Sequence, residues 1–132
     1  MKSLFVFFLS WILYSACDVG FSDKDLYGTY VPYNDINTFD SIQLNARRVY
    51  LRKVYDKSGK KVLDMSGKWE MKDANEIQFY SFFQNLDRDI SLYPELLSDT
   101  TGGVSTIFQT DGTTIRFCIG HYENSNCYKR IE

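Results

Sequence analysis

Val104-Ser105-Thr106-Ile107-Phe108-Gln109-Thr110-Asp111-Gly112-Thr113-Thr114-Ile115-Arg116-Phe117-Cys118-Ile119 is the stretch whose reading decides the fold. Asp-Gly between two runs rich in β-branched and aromatic residues is a strong signal for a two-residue hairpin turn. Closing that turn pairs Phe108 with Ile115, Thr106 with Phe117 and Val104 with Ile119. Every large apolar residue except Ile107 then shares one face, as a half-buried antiparallel sheet requires. The other face carries Ser105, Gln109, Thr114, Arg116 and Cys118. Setting Cys127 of the next strand opposite Cys118 predicts a disulfide on this more polar face. The same register sets Arg116 against Lys129, a like-charge pair with a small cost.

Similar strand signals recur upstream at short intervals. They cover Leu26 to Pro32, Asp40 to Leu44, and Val49 to Tyr55, the last ended by the turn Asp56-Lys57-Ser58-Gly59. Lys61 to Met65 and Gly67 to Lys72 read as one strand kinked at Ser66-Gly67. Asp73-Ala74-Asn75 turns the chain into Glu76 to Phe83. A long connection from Gln84 to Gly103 precedes the hairpin, and Asn126 to Ile131 closes the series. Eight strands joined mostly to their sequence neighbours predict an all-β domain, an antiparallel up-and-down barrel or a sandwich. Trp69 and Met71 alternate with Lys68, Glu70 and Lys72, which points the tryptophan inward. Ile77, Phe79 and Phe83 repeat the pattern, leaving Tyr80 and Phe82 to face outward.

The N-terminus has a different character. Lys2 precedes an apolar run from Leu4 to Tyr14 broken only by Ser10. That run is too short to span a bilayer and has the length of a secretory signal core. The junction Leu13-Tyr14-Ser15-Ala16-Cys17 resembles the lipobox of bacterial lipoproteins, with Tyr14 where the family has Leu. The resemblance implies that residues 1–16 are a signal peptide, Cys17 the lipidated first residue, 17–25 a short tether and 26–132 a single domain. Acyl chains on Cys17 hold such a domain at a membrane without a spanning helix. The expected location is the bacterial cell envelope, facing the periplasm; the alternative is plain secretion with cleavage after Cys17. Three cysteines, an odd number, fit a lipidated Cys17 and a Cys118–Cys127 pair.

The net charge is −2, and no basic stripe interleaved with aromatics is present, so nucleic acid is not an expected partner. Gly28-Thr29-Tyr30, Gly67-Lys68-Trp69 and Tyr128-Lys129 resemble motifs of small lipocalin-like bacterial lipoproteins. In that family the first motif has Trp where this chain has Tyr30. The resemblance covers most of the mature chain and implies a β-barrel with an apolar interior.

Catalytic signatures are few. His121, the one histidine, sits between Gly120 and Tyr122, inside the loop closed by the expected disulfide. A triad or Cys-His pair would have to be built on it, and that disulfide consumes both thiols. One histidine cannot anchor the usual zinc sets. Asp87-Arg88-Asp89 lacks further calcium-ligand spacing. No phosphate loop, nucleophile elbow or HExxH motif is present. No metal or cofactor is expected.

The leading expectation is a non-enzymatic, lipid-anchored binder of a protein partner, of the inhibitor or toxin-immunity type. Tyr80 and Phe82, together with Asp87, Asp89 and Tyr93 of the long connection, are the candidate contacts, because exposed Tyr and Phe favour interfaces and long loops in compact domains are often functional. The alternative is a carrier of a small apolar ligand, lined by Trp69, Phe79, Phe83, Phe108 and Phe117. An enzyme built on unrecognised carboxylates is a third reading. Mass spectrometry of the mature N-terminus is expected to find an acylated Cys17. An unmodified start at Asp18 would mean ordinary secretion.

Overall fold

The computed structural model describes residues 20–34, 37–81, 102–119 and 127–132. A 3-10 turn, Asp23–Leu26, leads into β1 (Gly28–Pro32), β2 (Thr38–Asn45), β3 (Val49–Asp56) and β4 (Lys61–Met71). β5 (Glu76–Phe79), β6 (Val104–Asp111), β7 (Thr114–Cys118) and β8 (Cys127–Arg130) follow. Each strand pairs antiparallel with the next, and β8 pairs back onto β1, so the eight strands form a closed up-and-down barrel. Closure, not a sandwich, is the outcome.

The alternation read from the sequence places the core. Trp69, Ile77, Phe79, Phe108, Ile115 and Phe117 are buried, and Ile107 is 52% exposed. The hairpin register differs from the expected one. Phe108 pairs with Phe117, Thr110 with Ile115 and Asp111 with Thr114. Gly112 and Thr113 therefore form the turn, with Gly112 at φ +62°. Glycine at the first turn position takes the left-handed conformation without Cβ strain, so Asp111 stays in the strand. The two registers differ by two residues on one strand, which leaves every side chain on the face expected for it.

Strand ends moved for local reasons. β1 starts at Gly28 because Leu26 ends the 3-10 turn and is buried beneath the barrel. β5 stops at Phe79, four residues short of the expected end. Ser81 adopts φ +72°, which an extended strand cannot accommodate. The Tyr80 N–H donates to the Lys68 carbonyl, and the Tyr50 hydroxyl donates to the Tyr80 carbonyl. β4 is a single strand through Ser66-Gly67. A Cβ at Gly67 would lie 2.6 Å from the Tyr50 ring, so glycine there makes room for that tyrosine.

The two barrel ends differ. One carries the 3-10 turn, the tight turns at 46–48, 72–75 and 112–113, and the C-terminal residues. There Phe21 N–H donates to the Ala74 carbonyl, Tyr30 Oη to the Leu26 carbonyl and Thr29 N–H to the Glu132 carbonyl. The opposite end carries the turn at 57–60 and the described residues 33–34, 37, 80–81, 102–103 and 119.

Cys118 and Cys127 are disulfide-bonded across β7 and β8, with Cα atoms 4.0 Å apart. Arg116 does face Lys129. Thiol titration of the mature protein should find neither of these cysteines free. Replacing both by serine should cost about 2–3 kcal/mol in denaturant unfolding, from the loop entropy restored to the unfolded chain. No loss of stability would mean that the strand pairing holds β8 unaided.

Candidate functional site

The outer face of β4 and β5 holds the strongest candidate surface. Glu70 and Lys72 project from the end of β4, and Tyr80 follows β5 directly. Tyr80 is 40% exposed, as the alternation predicts. Its hydroxyl donates to Glu70 Oε1, which also takes an ion pair from Lys72 Nζ. The same ammonium stands 5.7 Å from the centre of the Tyr80 ring. Lys72 first, then Tyr80, hold the Glu70 carboxyl below its ordinary range. The aromatic ring is thus pinned by its neighbours with one face toward solvent. On the neighbouring strands Ser105 Oγ donates to Gln78 Oε1 at 2.5 Å, and Ile107, opposite Glu76 at the far end of β5, is exposed on β6. An aromatic and an aliphatic side chain set among polar groups can bind a protein surface. Phe82, Phe83, Asp87, Asp89, Tyr93 and His121 lie outside the described residues, as does Cys17.

Trp69, Phe79, Phe108 and Phe117, the described side chains of those considered for a ligand chamber, each pack against other aromatic rings. Phe108 stacks on Phe117 at 4.6 Å, and Phe117 stacks on Tyr128 at 5.1 Å. Tyr30 packs edge-on against both phenylalanines, and Phe79 approaches Phe117 at 5.8 Å. Trp69 meets the edge of Tyr27 at 6.3 Å. Edge-to-face and offset contacts of this kind characterise a filled core. Burial pushes the Tyr50 hydroxyl up to about 12 and raises Tyr30 as well. Two surface depressions of about 540 and 350 Å³ are lined by other residues. The larger lies at the N-terminal end between Phe21, Lys24 and Arg130. The smaller lies beside Pro32, Tyr33, Phe39 and Tyr55.

One interior group escaped sequence reasoning. Arg52 is fully buried, and its Nε and Nη2 donate to the two carboxylate oxygens of Asp40 at 3.2 and 2.7 Å. Nη2 also approaches the Tyr128 hydroxyl at 3.1 Å, and that hydroxyl lies 2.9 Å from Asp40 Oδ2. Burial opposes the Arg52 charge, but Tyr128 and Asp40 outweigh it and hold the guanidinium more firmly protonated than usual. The signal was present: Asp40 shares parity with Ile42 and Leu44, and Arg52 shares parity with Tyr50 and Val54. Phe39, 67% exposed, was also missed, since an outward aromatic on a half-buried strand breaks the usual alternation.

Among the described residues, no three His, Cys, Asp or Glu side chains converge on a point that could hold a metal. Asp40 is the buried carboxylate there, and both its oxygens accept hydrogen bonds, from Arg52 and Tyr128. No protein-family model, curated protein or solved structure significantly matches the chain.

Arg52→Met strands the Asp40 carboxylate in the core and should cost about 3–5 kcal/mol in denaturant unfolding. The double variant Arg52→Met/Asp40→Leu should recover part of that loss. If the single variant loses less than about 1 kcal/mol, the pair contributes no more than an exposed one.

Proposed function

We propose that this chain is a lipid-anchored protein of the bacterial envelope that binds a protein partner in the periplasm, of the inhibitor or toxin-immunity type, and performs no catalysis. The observation that carries the reading is Tyr80, held outward by Glu70 and Lys72 on a barrel whose interior rings are engaged with one another. An anchor residue fixed before binding loses little side-chain entropy when the partner arrives.

The place where the chain enters the barrel agrees with this arrangement. Gly20 lies against Ala74 at the end with the tight turns. Two residues, Asp18 and Val19, separate it from Cys17, and three residue steps reach about 10 Å at full extension. A lipidated Cys17 would therefore hold that end to the bilayer and direct the opposite end outward. Tyr80 sits where β5 runs toward the outward end. The interlocked rings weigh against a carrier of small apolar ligands. The enclosure of Asp40 by Arg52 and Tyr128 removes that carboxylate from acid-base work.

Affinity capture from the native envelope with the tagged full-length protein should retain a protein partner. Tyr80→Ala should weaken retention by about 30-fold, matching the roughly 2 kcal/mol typical of an aromatic anchor. Phe82→Ala is expected to act in the same direction. Normal capture by both variants, with an unchanged circular dichroism spectrum, would place the interface elsewhere. Failure of the unaltered protein to retain any partner would reject the reading.

A further inference from the structure

β4 is the longest strand, at eleven residues, and its two sides are used unequally. Toward β3 it is paired from Lys61 to Lys68. Toward β5 it is paired only at Trp69, Glu70 and Met71, with one further bond from the Tyr80 N–H to the Lys68 carbonyl. Ser81 then turns the chain out of the extended conformation that would have continued the ladder. Among the described residues, the backbone of Val62 to Ser66 on the side away from β3 has no strand partner. A row of unused N–H and C=O groups is a template for another extended chain.

The side chains along this edge suit such an addition. Leu63 and Met65 share the inward parity of Trp69 but are only half-buried, and Met65 packs on the core. An added strand would lay alternate side chains over them. The surrounding charge selects the partner's sign. Asp64 is ion-paired with Lys61 at 2.5 Å, and Asp56 is occupied by Ser58 and the Lys60 N–H within its own turn. Among the described residues, Lys53, Lys57, Lys60 and Lys68 form no ion pair. Among the described residues, lysines thus outnumber carboxylates beside this edge: Lys53 lies opposite Asp64 and Lys60 acts on Asp56, while Lys57, Lys61 and Lys68 add further positive charge to a chain whose net charge is −2.

We infer that the β4 edge from Val62 to Ser66 is a docking site for an extended, acidic segment of a protein partner, which adds to the barrel as a strand. Main-chain hydrogen bonds supply the affinity of this mode, and alternate side chains supply specificity. The inference rests on the partner reading above and specifies how that partner is held.

The probe is a capped eight-residue peptide alternating glutamate and valine, titrated into the isotope-labelled mature protein. Amide signals from residues 61–66 should shift, and the protons among them that point away from β3 should gain protection from solvent exchange. Methylating alternate peptide nitrogens should weaken binding by about tenfold or more, because it removes ladder donors. A lysine-valine peptide should bind weakly, and so should the glutamate peptide to Lys53→Glu/Lys68→Glu, provided that variant keeps its thermal midpoint. Equal binding of the methylated peptide, shifts confined to other strands, or no binding at all would overturn the inference. Protection already present in the unliganded protein at the amides of 62–66 that point away from β3 would overturn it too, since the chain's own residues would then cover the edge. If the peptide fails while Tyr80→Ala still abolishes capture, the edge is rejected and the partner reading stands.

Discussion

Arg52, Asp40 and Tyr128 bind three strands together at the place where the hydrogen-bonded wall gives way. β1 pairs with β2 only as far as Tyr30 and Ile42, then continues alongside β8 to Pro32. Beyond that point β1 and β2 share no ladder among the described residues, and the smaller depression lies in the seam. Across it, the Arg52 guanidinium on β3 meets Asp40 on β2 and Tyr128 on β8. Side-chain hydrogen bonds to charged groups take over where backbone bonds stop, and they are stronger individually. Burying a guanidinium costs several kcal/mol unless it is paired, so the bidentate geometry is a condition of its presence. Tyr128 belongs to both systems: its hydroxyl joins the ion pair, and its ring stacks on Phe117. The polar clasp and the aromatic column therefore hold each other in place.

This division of labour shapes what the protein can do. An interior occupied by interlocking rings and the Arg52–Asp40 ion pair supports the proposal that recognition takes place on the outside of the barrel. There the geometry is uneven. β5 is four residues long against the eleven of β4, so among the described residues the wall is complete at the turn-rich end and part of β4 has no second strand partner. Tyr80 stands where β5 ends, pinned by Glu70 and Lys72, and lysines lie near that part of β4. A closed circuit of strands leaves room for such an unpaired stretch, because closure requires each neighbour to touch and not to match in length.

How far the sequence was legible varied by residue. Trp69, Ile77 and Phe79 were readable as core because strand alternation has a period of two and only one parity is apolar. The disulfide followed from the register of β7 and β8. Register within the β6–β7 hairpin was less secure: a shift of two residues preserves every face, so parity could not separate the two turns, and the left-handed φ of Gly112 did. Arg52 and Asp40 were passed over because charged residues are read as solvated unless their partner is known. The end of β5 was missed because Ser81 carries no composition signal for a positive φ.

The sequence by itself determined the strand content, the inward parity of the large apolar residues and the cysteines available to staple the last hairpin. Those properties depend on neighbours one or two positions away, or on a short loop. Only the tertiary structure decided that the sheet closes on itself, that Arg52 meets Asp40 and Tyr128, and that part of β4 extends past its pairing with β5. Each of these depends on strands distant in the chain, where the relative length and stagger of whole elements decide which groups come within bonding distance.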